Sequence, residues 1–372
     1  MIITVTFIDT LWPRALLLDL KRLHGIRMKE GYNLSNLSYQ LNFEKLCMMV
    51  ELGELVGAPV ALTGGLLHKM FAIQTTQGKY AIKALNPQIM CRPTAMHNFI
   101  HSENIAAAAA KNVSAHPAKR FNNTAVQQVD HQYFLVFDWV EGRSLKPNEI
   151  TTVHCEIMGD LLADIHRTDF TDLANTKDEL LVEAQPTDWN SYLQQGLANH
   201  SEWASSMQET IEQLYDWNRK AIHAGLLLGS NTVISHRDLD SKNVMWNQNN
   251  PILIDWEAAG SINPMQDLLE TAIYWSEDET GSLDKMRLSA FLSGYKKKQG
   301  PVQADWKTVV ENGFMGKLGW LEYSLKRSLR IECTDENEQQ VGTEQVIATI
   351  DSIKRYASMV TELEQWLNDE CR

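Results

Sequence analysis

Apolar residues recur at helical spacing through residues 43–56, FEKLCMMVELGELV, and Gly57 with Pro59 closes the run, which predicts a helix ending there. Beyond it the period shortens to two. The runs at 60–63, 66–75 (LLHKMFAIQT) and 79–85 (KYAIKAL), separated by Gly64-Gly65 and by TTQG, predict a three-stranded antiparallel meander. An alanine-rich stretch, MHNFIHSENIAAAAAKN at 96–112, predicts a long helix. Strands are expected at 124–129 and 132–140 around the turn Asp130-His131, before Glu141-Gly142 breaks the pattern. From about 148 onward the periodicity is helical, over 149–167, 201–226, 265–276, 283–297, 306–331 and 340–369, apart from a β island at 232–255. The order implies a smaller lobe over 28–142, a larger helical lobe over 143–372, and an N-terminal extension, 1–27, outside the fold, with Met28 an alternative start.

Composition narrows the partners. With 44% hydrophobic and 22% charged residues and a formal charge of -13, the chain lacks the basic face that nucleic acid or an anionic membrane requires, and a small cationic or neutral substrate fits better. Cys47, Cys91, Cys155, Cys333 and Cys371 are odd in number and widely spaced, which suggests neither a disulfide ladder nor paired zinc knuckles and points to a reducing cytoplasm. The opening MIITVTFIDTLWPRALLLDLKRL is broken by Asp9, Pro13 and Asp19 and lacks a basic leader, so it reads as neither signal peptide nor membrane span.

The chemistry concentrates in residues 233–256, VISHRDLDSKNVMWNQNNPILIDW. VISH ends a strand, a polar loop follows, NVMW folds back through WNQNNP, and PILID ends on Asp255. Such a hairpin brings Asp238, Asn243 and Asp255 to one end. Asn243 and Asp255 offer two convergent oxygen ligands, the number Mg²⁺ usually takes from a protein before filling its shell with water and phosphate oxygens. Asp238 is then left to orient or deprotonate a hydroxyl, and His236 to brace the loop.

The pattern His236-x-Asp238-x-x-x-x-Asn243 followed by Asp255 resembles the catalytic loop and metal aspartate of the protein-kinase-like superfamily. The text after it, IDWEAAGSINPMQD, has no Asp-Phe-Gly and no activation segment, and is similar instead to the aminoglycoside phosphotransferase and choline kinase branch. The resemblance covers about residues 58 to 330. It implies an α+β, bilobal fold, with a small antiparallel β lobe carrying one long helix and a larger, mostly helical lobe, and a site for ATP and Mg²⁺ between them. Lys83, in YAIKAL, matches the lysine of the phosphates, beneath a turn at Gly64-Gly65. Glu103, 103 − 83 = 20 residues on, matches the glutamate that pairs with it. FLVFDWVEG resembles the hinge, whose backbone near Asp138 and Val140 would meet adenine. Asn243 and Asp255 would hold the metal and Asp238 the substrate hydroxyl; Glu257 is open between metal shell and solvent, and Arg237 between the phosphate and an internal ion pair.

The function implied is transfer of the γ-phosphoryl group from Mg·ATP to a hydroxyl of a small, amine-bearing molecule. The rivals are a metabolic kinase for choline, ethanolamine, homoserine or a sugar, a protein kinase, and a non-catalytic pseudokinase. Candidates for the wall facing Asp238 are Glu270, Trp275, Glu277 and Asp278, with Trp320 and Glu322 downstream. Carboxylates and aromatic faces there would attract a cation.

Overall fold

A computed structural model defines residues 38–62, 67–173, 186–333 and 335–371. The extension 1–27 and the turn Gly64-Gly65 lie outside the described residues.

Alternation along β2 (Lys69–Gln74) and β3 (Lys79–Ala84) places two apolar faces on one sheet, which is completed by β1 (Val60–Leu62), β4 (Gln127–Val129) and β5 (Gln132–Asp138) in the antiparallel order β1-β2-β3-β5-β4. One face, through Ile73, Ile82, Phe134 and Val136, packs on α1 (Phe43–Met49). The other, through Leu135 and Phe137, packs on Phe99 of a long helix. Between them run α2 (Pro87–Met90) and that helix, α3 (Ala95–Ala109). Lys83 pairs with Leu135 across the ladder. Side chains alternate along a strand, so a lysine in this register faces the α3 side.

The helical lobe follows: α4 (Thr152–Arg167), α5 (Trp189–Ala198), α6 (Ala204–Leu228), α7 (Pro264–Ser276), α8 (Lys285–Gln299), α9 (Trp306–Asn312), α10 (Phe314–Ser328) and α11 (Glu336–Glu370). α4 and α8 cross at two glycines. A Cβ on Gly159 would lie 2.0 Å from the Phe291 carbonyl oxygen, and one on Gly294 would lie 2.0 Å from that of Glu156. Between α6 and α7 lie β6 (Val233–Ser235), β7 (Val244–Asn247), β8 (Asn250–Leu253) and β9 (Gly260–Ile262); β7 pairs with β8, and β6 with β9. None of the described helices is long and apolar enough to cross a membrane.

Several expectations shift. The first helix stops at Met49 because Glu51 turns left-handed (φ 56), and the chain then bonds along β2, with Val56 N–H donating to Gln74 O at 2.7 Å. The run 306–331 is two helices, divided at Gly313, where a Cβ would lie 2.1 Å from the Tyr356 hydroxyl. Helix α5, capped by Asp188, escapes the periodicity reading, and so does β9, which takes β6 away from the hairpin. Beyond the hinge the lobes are also joined through α10, which sends Trp320 and Tyr323 into the apolar cluster under the sheet beside Phe99 and Leu135. Arg92 Nη2 reaches Glu332 Oε2 at 2.7 Å on the same side.

Candidate active site

The hairpin β7–β8 is the frame of the site. Ile254 N–H donates to Asn243 O at 2.9 Å, which holds Asn243 and Asp255 at its open end. One flank is tied to the other lobe, His116 N–H donating to Leu253 O at 2.8 Å, and the other to the chain just past the hinge, where Arg143 and Trp246 exchange two backbone bonds. Gly142 (φ 143) sits where the chain passes β7, and a Cβ there would be 2.7 Å from Trp246 O.

His236 is buried and braces the loop, as its spacing suggests. Its Nε2–H donates to Ile254 O at 3.0 Å, leaving Nδ1 to accept from the Asp238 N–H at 3.3 Å. Burial keeps its pKa below the ordinary value, so the ring stays neutral. Arg237 (φ 65) turns its guanidinium toward Gly260 of β9, where Nη1 would be 3.0 Å from a Cβ.

Asp238 is 4% exposed. Its Oδ2 accepts from Asn243 Nδ2 at 2.8 Å, and its Oδ1 is buried without a hydrogen bond. Burial, reinforced by Asp240 and Asp255, pushes its pKa well above the carboxylate range against the pull of Lys242 and Asn243. Lys242 Nζ lies 3.9 Å from Asp238 Oδ2 and 3.7 Å from Asp240 Oδ2.

Asp255 takes a left-handed backbone (φ 60, ψ 62), which swings its carboxylate across to the sheet lobe. There Lys83 Nζ donates to Asp255 Oδ1 and Glu257 Oε2, each at 2.7 Å. Burial alone would lower the pKa of Lys83; the two carboxylates outweigh it and raise the pKa. For Asp255 the opposing burial is overcome by Lys83, and its pKa falls, whereas burial and the charge of Asp255 raise that of Glu257.

The expected Lys83–Glu103 pair is not formed. Glu103 Oε2 instead accepts the Ala118 N–H at 2.6 Å, and burial pushes its pKa up to about 7. Glu257 stands in its place, two residues past Asp255 on the 3-10 turn Trp256–Ala258, and is thereby neither a solvated acid nor open to the metal alone. Sequence reading also passes over His68, whose Nε2 lies 3.4 Å from Glu257 Oε2 and whose Nδ1 accepts from the Asn86 N–H. No spacing marks that contact, because it joins residues 68 and 257 only through the fold.

At the hinge, Asp138 O accepts from His116 Nε2 at 2.9 Å and Asp138 Oδ1 from Lys119 Nζ at 2.8 Å. Val140 lies half-buried just past β5 and, among the described residues, makes no hydrogen bond.

Of the residues expected to face the acceptor, four have other work. Trp275 is buried and its Nε1–H donates to Leu239 O at 2.9 Å, holding the loop. Trp320 is in the interlobe cluster. Glu322 accepts from Thr187, Tyr192 and Lys326. Asp278 closes its own turn through Thr280 and Ser282. Glu270 and Glu277 carry charges felt by the buried Lys317.

A buried carboxylate beside an amide and an acid, with a strand lysine reaching the acid from the opposite lobe, defines a phosphotransferase of kinase-like fold. The Phosphotransferase enzyme family (APH) model matches residues 60–301, and the chain belongs to that family. The fold is similar to that of a spectinomycin phosphotransferase solved with ADP and spectinomycin (TM-score 0.61, 12% identity, 83% of this chain and 98% of the other covered). It is also similar to an ethanolamine kinase from Plasmodium vivax (TM-score 0.55, 14% identity, 87% and 95% covered). A third neighbour is an aminoglycoside phosphotransferase from Alicyclobacillus acidocaldarius (TM-score 0.52, 12% identity, 89% and 98% covered). No curated protein matches the chain in sequence.

Proposed function

We propose that this phosphotransferase moves the γ-phosphoryl group of ATP, in the presence of Mg²⁺, to a hydroxyl of a small, amine-bearing molecule. The observation that carries the reading is the reach of Lys83 across the cleft to Asp255 at 2.7 Å, which brings a phosphate-seeking cation and a metal-seeking acid beside the buried Asp238. The oxygens present suit the metal. Asn243 spends its Nδ2 on Asp238 and Asp255 spends Oδ1 on Lys83, so Asn243 Oδ1 and Asp255 Oδ2 are left as hard donors. When bound, Mg²⁺ would neutralise charge on the phosphates.

The chain's own residues do the rest. Lys83, steadied by Glu257, exchanges its bond to Asp255 for phosphate oxygens. Asp238, immobilised by Asn243, accepts the acceptor's hydroxyl through Oδ1 and aligns its oxygen for attack. Adenine would use the backbone of Val140 and, by displacing His116, the carbonyl of Asp138. A neighbour of the same fold that holds ADP supports nucleotide use. The carboxylates of Asp240 and Glu277 support an amine on the acceptor. All five cysteines are free, which fits a cytoplasmic setting.

The test is a coupled assay of ADP release across aminoglycosides, choline-type amines, amino alcohols and sugars. Turnover of an amine-bearing alcohol, abolished in Asp255→Ala, is the expected result. Release of ADP only with neutral sugars overturns the acceptor class, and near-full activity of Asp255→Ala overturns the metal assignment.

A further inference from the structure

His68 has no part in the chemistry given above, yet it is buried beside the reach of Lys83. β2 and β3 pair Met70 with Lys83 and Lys69 with Ala84, so His68, one residue before β2, comes alongside the chain leaving β3. In that alternation it shares a face with Lys83, and its ring stands edge-on to Phe99 of α3, the centroids 5.4 Å apart. The Asn86 N–H donates to its Nδ1 at 2.9 Å. Asn86 is itself fixed. It is buried, its Oδ1 caps α2 by accepting from the Gln88 N–H at 2.9 Å, and its Nδ2 donates to Glu338 Oε1 of α11 at 3.1 Å.

A ring nitrogen that accepts an N–H carries no proton, so the imidazole is neutral and its one proton is on Nε2. Burial, with Lys83 close by, also keeps the His68 pKa well below its ordinary value, in keeping with a neutral ring. Nε2 lies 3.4 Å from Glu257 Oε2, the same oxygen that takes Lys83 at 2.7 Å. That oxygen thus has two donors beside it, one charged and one not. The difference matters when phosphates arrive. Lys83 then gives up Asp255 and keeps Glu257, while the phosphates repel the Glu257 carboxylate. A second cation beside Glu257 would itself draw the phosphates. A neutral N–H steadies the carboxylate without competing for them.

We propose that His68 is a positioning residue whose Nε2–H holds the Glu257 carboxylate toward Lys83, and so keeps the lysine aimed at the phosphates of ATP. This rests on the reading of Lys83 as the cation that receives those phosphates. His68 acts through Glu257 and not on the nucleotide itself.

The test is calorimetric titration of the full chain with Mg·ATP and, separately, with adenosine, which has no phosphate for Lys83 to meet. His68→Asn keeps an oxygen near Nδ1 for the Asn86 N–H but has no donor that reaches Glu257, whereas His68→Gln puts its amide N–H near Nε2. Mg·ATP binding is expected to weaken about tenfold in His68→Asn, the size of one hydrogen bond to a charged group, and to be largely recovered in His68→Gln. Adenosine should bind alike to both variants and to the wild type, which also reports that they are folded. Combined with Glu257→Ala, His68→Asn should weaken Mg·ATP binding no further. One measurement leaves His68 unaltered: in chain carrying isotope-labelled histidine, magnetic resonance should show the Nε2–H tautomer of His68, with its signal shifted in Glu257→Ala. Recovery by Asn rather than by Gln would make His68 an anchor for Asn86 alone and overturn the proposal. So would equal losses for adenosine and Mg·ATP, additive effects of His68→Asn and Glu257→Ala, or an Nδ1–H tautomer. Wild-type chain that binds Mg·ATP no more tightly than adenosine strikes the reading of Lys83 on which the proposal stands.

Discussion

Asp238 keeps one oxygen on Asn243 and the other buried without a hydrogen bond, an arrangement that fits the role proposed for it toward the acceptor hydroxyl. Asp238→Ala is expected to lower turnover by about 10²–10⁴-fold while ATP affinity stays within a small factor. Parallel loss of nucleotide binding in a titration would show that Asp238 holds the nucleotide rather than the acceptor. Glu103 is legible in the sequence as a glutamate at the right distance from Lys83, but its partner is not. The carboxylate turns to the Ala118 N–H, and burial raises its pKa from 4.5 to about 7. Between those values the folded chain holds a proton that the unfolded chain has lost, so this group makes stability fall as pH rises through that window and adds no further change above it. Glu103→Gln can still accept from Ala118 and should flatten that slope, leaving the apoprotein on the order of 2 kcal/mol more stable than wild type at pH 8. Urea midpoints at pH 5 and 8 that differ equally in both proteins would refute it.

At the scale of elements, the two-residue period made the meander at 60–85 legible, and alanine content made α3 legible. What escaped were short or broken pieces: β9, three residues long, α5, and the division of 306–331 at Gly313. Their boundaries depend on a partner distant in sequence, Tyr356 in the last case, and local periodicity does not register it. The crossing of α4 and α8 is of the same kind. Gly159→Ala would place a methyl 2.0 Å from the Phe291 oxygen, so the helices must part. A loss of about 3 kcal/mol is expected from overpacking, read as a lower urea midpoint. An unchanged midpoint would mean that the helices do not meet there.

For the molecule as a whole, the two lobes and the cleft between them make stability depend on ligand. Mg·ATP at about 100 times its Kd should stabilise the chain by about 2.7 kcal/mol, a rise in Tm of about 3–4 °C for a chain of this length. The rise should require magnesium in the wild type and lose that requirement in Asp255→Ala. A rise indifferent to magnesium throughout would remove Asp255 and Asn243 from the metal.

The class of fold was determined by the sequence alone, and so was the choice of residues now proposed to serve the nucleotide and the acceptor. Lys83, Asp238, Asn243 and Asp255 lie at the ends of short elements whose order and spacing are local properties. The tertiary structure decided the pairings. That Glu257 rather than Glu103 holds Lys83, that Trp275 braces the loop, and that Lys317 is buried beside the Tyr356 ring each depend on contacts between segments far apart in the chain. The worth of a charge is set by its burial and by its neighbours, and neither exists before the chain has folded.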